Sequence, residues 1–349
     1  MMPRVCAVVL TYNRRELLDE CLRSIAAQSH VCDRVIVVDN ASTDGTAEML
    51  AECWRSKVDA HVLEQNIGAA GGFNLGMRLA YRTGADYIWV MDDDVMPEPD
   101  ALEKLLAAAS VLASRNIAPS FLTSILRSPV GHLTNVPEID RHTNPLQYEN
   151  WPDLLDHKLV PVIRAALASN LLPRSTLEQY GLPIADMFIW GEDTEFTLRV
   201  AQDRPGFIVG DSRAVHVRQL AGVLDIRTER NPARVAYHFY RIRNDVFLKR
   251  RFEGPRAVAR LIRRQVKLAV QLCQAQEFAR ARIVLRGVLA GLSFNPSVEA
   301  ADAPFTMASV RQMAEPEADL ALASAEAAAP AKLAPEQEQA FPNDLRPAV

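Results

Sequence analysis

Three consecutive aspartates, Asp92, Asp93 and Asp94, close an apolar run, Tyr87-Ile88-Trp89-Val90-Met91. Adjacent carboxylates repel one another unless a cation neutralises them. Oxygen ligands suit Mg²⁺ or Mn²⁺, and a Mg²⁺ site commonly takes one or two carboxylates plus substrate phosphates. The chemistry this suggests is a metal-held diphosphate, as in a nucleotide-activated donor. The same residues also read as an acidic turn, because Pro97-Glu98-Pro99-Asp100 has the composition of a helix start. A second acid pair, Glu192 and Asp193, follows Phe188-Ile189-Trp190-Gly191. One of the two has the chemistry of a general base for an acceptor hydroxyl, and Asp193 also suits a helix cap.

Other polar residues fall at the ends of strand-like runs. Thr11-Tyr12-Asn13-Arg14 offers a hydroxyl, an aromatic ring and an amide to a base or ribose, while Asn13 also reads as a helix cap. In Asp39-Asn40-Ala41-Ser42-Thr43-Asp44-Gly45-Thr46, Asp39 is the better ligand candidate, and Ser42 or Asp44 suits capping. Asn66-Ile67-Gly68-Ala69-Ala70-Gly71-Gly72-Phe73-Asn74 is glycine-rich and opens a helix, where backbone N–H groups can approach a phosphate or sugar. It is neither a P-loop nor a dinucleotide fingerprint. His216, in the apolar Ala214-Val215-His216-Val217, matters chemically only as a metal ligand beside Asp94.

Hydrophobic periodicity sets out the elements that must carry these residues. Strands are expected at 5–10, 34–38, 60–63 and 87–92, and helices at 15–28, 44–54, 71–82 and 100–113. This βαβ order implies an α/β fold with a mostly parallel sheet, helices on both faces and right-handed crossovers. Ligands then bind outside the carboxyl ends of the strands, where the polar motifs fall. Residues 116–161 lack periodicity and read as a long functional loop. A helix at 174–179, a strand-like 188–190, a helix at 194–202 and short strands at 207–209 and 214–217 follow. Helices are expected at 235–251 and 256–294.

The 349 residues suffice for one large domain or two ordinary ones, and a net charge of −4 gives no general pull toward nucleic acid. The five cysteines are scattered and form no CxxC, which argues against a disulfide framework or a zinc site. No run approaches the roughly 20 apolar residues of a spanning helix, and the N-terminus lacks a signal-peptide pattern. The expectation is a soluble, cytosol-facing protein. Eight basic residues and Glu253 lie between Lys249 and Lys267, with apolar residues at helical spacing. Such a helix suits the surface of an anionic membrane, or else packs on the domain with a solvated basic face. Beyond Ser297 the Ala/Glu/Pro-rich tail carries nine acids and three bases, and disorder is expected.

Taken together, Val8-Val9-Leu10-Thr11-Tyr12-Asn13-Arg14, Val37-Val38-Asp39-Asn40, Asn66-Ile67-Gly68 with Gly71-Gly72-Phe73-Asn74, the three aspartates and Trp190-Gly191-Glu192-Asp193 resemble a family 2 glycosyltransferase of GT-A fold. Phe188 to Phe196 and Tyr240-Arg241-Ile242-Arg243-Asn244 resemble its rhamnosyl- and galactofuranosyltransferase branch. The resemblance implies a catalytic domain over 1–225, with a nucleotide-binding half (1–115) and an acceptor half (116–225). A basic helical region (226–297) and the tail (298–349) follow. It implies that Thr11, Tyr12, Asn13, Arg14, Asp39, Asn66, Gly68, Asn74, Asp92 and Asp93 bind a UDP- or dTDP-linked sugar. Asp94 and His216 would hold Mn²⁺ or Mg²⁺, Trp190 and Glu192 would meet the acceptor, and Asp193 would be the base of an inverting displacement. The implied acceptor is a glycan or polyprenyl-linked sugar of the cell envelope, met at the inner membrane face, and an oligomer fits the pattern. Relatives often carry Ser-Gly where this chain has Ser169-Asn170. Two other readings compete: a nucleotidyltransferase, and a non-catalytic membrane-associated scaffold that binds nucleotide-sugars.

Overall fold

The computed structural model describes residues 2–217, 224–304 and 310–313. Strands β1 (Val5–Thr11), β2 (Arg34–Asp39), β3 (Asp59–Leu63) and β4 (Tyr87–Asp92) pair in parallel, in the order β3-β2-β1-β4. Every residue of β1 is buried, which explains its unbroken apolar run in place of an alternating one. Thr11 pairs with Asp39, and Leu10 with Asp92. This register sets the carboxyl ends of the three strands level with one another.

The helices between the strands cover both faces. Helix α1 (Arg15–Ala26) buries Leu18 and Leu22 on one face, in the apolar layer that also holds Trp89. Helix α2 (Thr46–Met49) runs on as a π-helical turn, Leu50–Trp54. Helix α3 (Gly68–Arg82) buries Phe73 and Met77 in the opposite layer. Strand β5 (Val95–Pro97) leads into α4 (Ala101–Ser114), whose Leu102 and Leu105 complete the first layer.

Beyond β4 the sheet becomes mixed. It continues through β9 (Asn170–Pro173), β6 (Leu122–Arg127), β10 (Gly206–His216), β8 (Leu159–Arg164) and β7 (Glu138–Ile139). Strand β5 pairs antiparallel with the end of β10, setting His216 opposite Val95. Strand β11 (Val310–Met313) pairs antiparallel with β3.

Several expectations change here. The segment 116–161 is not one long loop, because it holds β6 in the middle of the sheet, β7, a 3₁₀ turn (Trp151–His157) and the start of β8. Strand β6 escaped notice because its buried residues include Thr123 and Ser124. Thr123 Oγ1 donates to Asn170 Oδ1 at 2.8 Å, and Ser124 Oγ lies 2.7 Å from Ser169 Oγ. Asn170 is thus a sheet residue. The two short strands at 207–217 are a single β10, bent by a register shift between Val209 and Arg213. Residues 188–190 form a turn and not a strand.

Helices α5 (Arg174–Tyr180) and α6 (Glu192–Val200) flank that turn. The C-terminal helices are α7 (Pro232–Leu248), α8 (Pro255–Gln274) and α9 (Phe278–Ser293), so the expected helix over 256–294 breaks in two near Gln276, where φ is 60°. The side chain of Asn231 caps α7, accepting from Ala233 N at 3.0 Å. Ile242, Leu272, Val284 and Val288 form a small core among the three helices. Among the described residues, no helix is long and apolar enough to cross a membrane. The tail expected from 298 falls mostly outside the described residues. Its first part, 298–304, packs on α3: Ala301 is buried and Arg78 pairs with Glu299.

Candidate active site

The strand ends gather the first group of acids. Thr11 Oγ1 donates to Asp93 Oδ2 at 2.7 Å. Arg14 Nη1 bridges Asp93 Oδ1 at 2.9 Å and Asp94 Oδ2 at 2.7 Å. Val217 N donates to Asp94 O at 2.8 Å, and His216 Nε2 lies 3.2 Å from Asp94 Oδ1. Burial pushes Asp92 well above the carboxylate range, with Asp94, Asp93 and, from the other side of the site, Glu192 adding to it. Burial also lifts Asp93 to about 6, against Arg14 and Thr11. For Asp94, His216 and Arg14 outweigh burial and hold the carboxyl below its ordinary value.

Asp39 is fully buried at the end of β2. Its Oδ1 accepts from Ser42 N at 2.9 Å, while Oδ2 has no hydrogen-bond partner. A buried acceptor left so costs about 1–3 kcal/mol, which a ligand N–H or O–H would recover. Asn13 does not cap α1. Its Oδ1 accepts from Thr43 N at 2.7 Å, and Asp44 Oδ2 accepts from Arg15 N at 3.0 Å instead. Tyr12 is exposed beside these loops. Asn40, which has no local signature of a ligand or a cap, ties two loops together. It donates to Gly68 O at 3.0 Å and accepts from Ile67 N at 2.9 Å.

The glycine-rich stretch is arranged differently from a free phosphate cradle. Asn66 Oδ1 accepts from Gly68 N at 2.8 Å, and Ala70 N donates to Phe188 O at 3.0 Å. Two N–H groups at the start of α3 are thereby engaged within the chain. Asn74 does not join the acids, because its buried amide donates to Pro183 O at 2.8 Å.

Phe188 has φ 63° and ψ −69°, and Ile189 N donates to Met187 O at 2.8 Å. This is a γ-turn with positive φ, rare for a residue with a side chain. Trp190 (φ 62°) and Gly191 (φ 115°) follow. Non-glycine residues in such conformations cost about 1–3 kcal/mol each and persist only where their surroundings over-determine them. The Trp190 ring centroid lies 6.1 Å from that of Tyr237 and 5.3 Å from that of His238.

Helix α6 then begins with both acids in its first turn, where the helix dipole favours negative charge. Glu192 is buried with Oε2 unpartnered, and burial together with Asp193 pushes it up to about 8. Asp193 Oδ1 accepts from Thr194 N at 2.6 Å, and burial raises its pKa too. Glu192 adds to the upward push on Asp92, so the acids that open α6 are near enough to those of β4 to act on them electrostatically. Among the described residues no three His, Cys, Asp or Glu side chains are grouped for metal binding. The expected pair, Asp94 and His216, is brought together through Asp94 Oδ1 and His216 Nε2, and His216 Nδ1 is buried without a hydrogen-bond partner.

Residues 6–150 match the family model described as glycosyl transferase family 2. The chain is 31% identical over 204 residues to galactofuranosyltransferase GlfT1 of Mycolicibacterium smegmatis, covering 57% of this chain and 65% of that protein. Identity to galactofuranosyltransferase GlfT1 of Mycobacterium tuberculosis is 29% over 210 residues, with the same 57% and 65% coverage. The chain thus matches just under two thirds of the length of these relatives. The crystal structure of GalNAc-T7 with UDP, GalNAc and Mn²⁺ superposes with a TM-score of 0.53 at 14% identity, over 71% of this chain and 48% of that one. The mixed sheet is that of a GT-A glycosyltransferase fold. Over residues 6–150 the chain is thus similar to glycosyl transferase family 2.

Proposed function

We propose that this chain transfers a sugar from a nucleoside-diphosphate donor to a hydroxyl of a glycan or lipid-linked acceptor, with inversion at the anomeric carbon. The observation that carries this reading is the level set of strand ends that gathers Thr11, Asp39 and the acids of β4, with a second acid pair opening α6. A donor diphosphate at the strand ends would then meet a base supplied by α6.

Asp39 Oδ2, buried and unpartnered, suits the N3–H of a uracil or thymine base. Thr11 and Arg14 fix Asp93 and Asp94 in the turn. Asp193 takes the proton of the acceptor hydroxyl as its oxygen attacks the anomeric carbon, a role worth about 10²–10⁴ in rate. Glu192, held protonated by burial, can donate a hydrogen bond beside it. Trp190 presents a ring face to an acceptor sugar.

Asp94 and His216 fit a divalent cation, because a buried carboxylate oxygen and an imidazole nitrogen face each other at 3.2 Å, and oxygen plus imidazole suit Mn²⁺ or Mg²⁺. Such an ion, when bound, supplies Lewis-acid stabilisation of the charge that grows on the leaving diphosphate. Similarity to the galactofuranosyltransferases favours galactofuranose as the donor sugar, with rhamnose next. The basic α8 would hold the protein against the inner face of the plasma membrane during envelope polysaccharide synthesis.

The deciding experiment is calorimetric titration with UDP and dTDP, each with and without Mn²⁺, followed by a transfer assay with the matching sugar nucleotide. Metal-dependent binding of one nucleotide and transfer from it support the proposal. Binding of neither nucleotide, without transfer, overturns it in favour of a scaffold.

A further inference from the structure

The strained turn before α6 is held from outside its own segment, by α7. Asn244 is fully buried, and its amide nitrogen donates to Met187 O at 2.9 Å, Ile189 O at 3.1 Å and Trp190 O at 3.0 Å. Its oxygen accepts from Arg243 Nε at 3.1 Å and Nη2 at 3.0 Å, which fixes which end of the amide faces the turn. Arg243 Nη2 itself donates to Asp186 O at 2.7 Å and Met187 O at 3.1 Å. A Cβ at Gly191 would lie 3.3 Å from Asn244 Cβ, so the backbone seats directly on this side chain.

The platform behind Asn244 is stiff. Helix α9 approaches α7 through two glycines, with a Cβ at Gly287 falling 2.9 Å from Ile242 Cβ and one at Gly291 falling 2.6 Å from Val246 Cβ. A second tie runs from the turn after α7, where Arg251 Nε lies 3.6 Å from the buried Glu195 of α6, itself paired with Arg199 at 2.8 Å.

We infer that Asn244 is a positioning residue: it clamps the turn at 187–191 and thereby sets Asp193 against the acids of β4. This rests on the proposed transfer reaction for its catalytic consequence. It assigns the C-terminal helices a part in building the active site, besides any contact with a membrane. Three carbonyls converging on one amide nitrogen over-determine a turn that its own residues disfavour. Only a neutral donor of this length serves, because a carboxylate would face carbonyl oxygens.

The test uses the full chain with Asn244→Asp, which keeps the shape and removes the donors, and Asn244→Ser, which is neutral and shorter. Displacing a catalytic group by about 1 Å can cost about 10²-fold in rate. The expected result is a loss of kcat of about that size, with donor KM and nucleotide Kd unchanged. Hydrogen exchange should accelerate at the amides of 186–193 and stay unchanged in β1 and β4. A kcat near that of wild type, or exchange that rises equally across the chain, overturns the clamp, as does failure of both variants to fold. Exchange reads the clamp without any transfer assay. If the wild type transfers nothing, the proposed function fails while the exchange result still decides the role of Asn244.

Discussion

The carbonyl oxygen of Phe188 lies 2.1 Å from the position that a Cβ at residue 68 would occupy. Gly68 also has φ +76°, a region that L side chains rarely adopt. The loop that opens α3 and the turn that opens α6 therefore interlock, with Ala70 N donating to the same carbonyl. Gly68→Ala is expected to destabilise the protein by about 2–4 kcal/mol, combining backbone strain with a clash against main chain. Urea unfolding of the variant beside wild type checks this. A shift below about 0.5 kcal/mol would show that the two loops move apart freely.

Much of this site was legible in the sequence. The acids of 92–94 follow a buried apolar run, and such a run must end at one edge of the sheet. The sequence suggests His216 beside Asp94, and the structure sets the two side chains 3.2 Å apart. The turn at 188–190 was misread because Phe, Ile and Trp are the composition of a strand, and positive φ at Phe188 and Trp190 has no signature beyond the adjacent Gly191. The motif around Asn74 suggests a ligand contact, whereas its amide donates to Pro183 O. The bridge from Arg14 to Asp93 and Asp94 and the grip of Asn244 are contacts across 54 to 80 residues, beyond any local pattern.

Asp193→Asn replaces the proposed base by an amide of the same shape. Transfer is expected to fall by about 10²–10⁴. Binding of the nucleotide should persist, because Asp39 and the strand-end acids are untouched. Single-turnover transfer and calorimetric titration on one preparation separate the two. Turnover near the wild-type level would remove Asp193 as base.

Glu192 carries the clearest pH signature. Its folded pKa of about 8 lies above the ordinary 4.5, so the folded chain holds this proton more tightly than the unfolded chain does. Stability from this group is complete below about 4.5 and is lost as pH rises toward about 8. Glu192→Gln removes that loss. The variant should gain stability over wild type progressively across this window, reaching on the order of 5 kcal/mol, and the gain should level off above it. Unfolding curves at pH 5, 7 and 9 test the sign. A gain independent of pH would mean that Glu192 is ionised throughout.

Asp94 is held by Arg14 and by His216, and Arg14 already neutralises part of its charge. If the cation sits here, Asp94→Ala should weaken UDP binding in the presence of Mn²⁺ by tenfold or more, about 1.4 kcal/mol. Binding without metal should change little. Equal weakening under both conditions would assign Asp94 to the nucleotide or to the fold, and not to the ion.

The basic face of α8 separates two physical roles that its composition alone leaves open. Ala257, Leu261, Ala269 and Leu272 are buried against the protein, while Val266 and Val270 on the same helix are exposed. Arg260, Arg263 and Arg264 are exposed and, with Lys249 and Lys267, border a cavity of about 640 Å³. On α9, Phe278, Leu285, Leu289 and Leu292 are also exposed, giving apolar side chains that can enter a headgroup layer. Each basic residue near an anionic leaflet contributes about 1 kcal/mol. Reversing all three arginines to glutamate should therefore reduce binding to phosphatidylserine-containing vesicles by at least about 10²-fold. Wild-type binding should weaken between 0.1 and 0.5 M salt, roughly as the Debye length shortens from about 10 Å toward 3 Å. Thermal stability should hold, because these side chains are exposed and the buried stripe is intact. Vesicle binding that survives the reversal and ignores salt would leave α8 as a structural helix with a solvated face, and would turn attention to the apolar residues of α9.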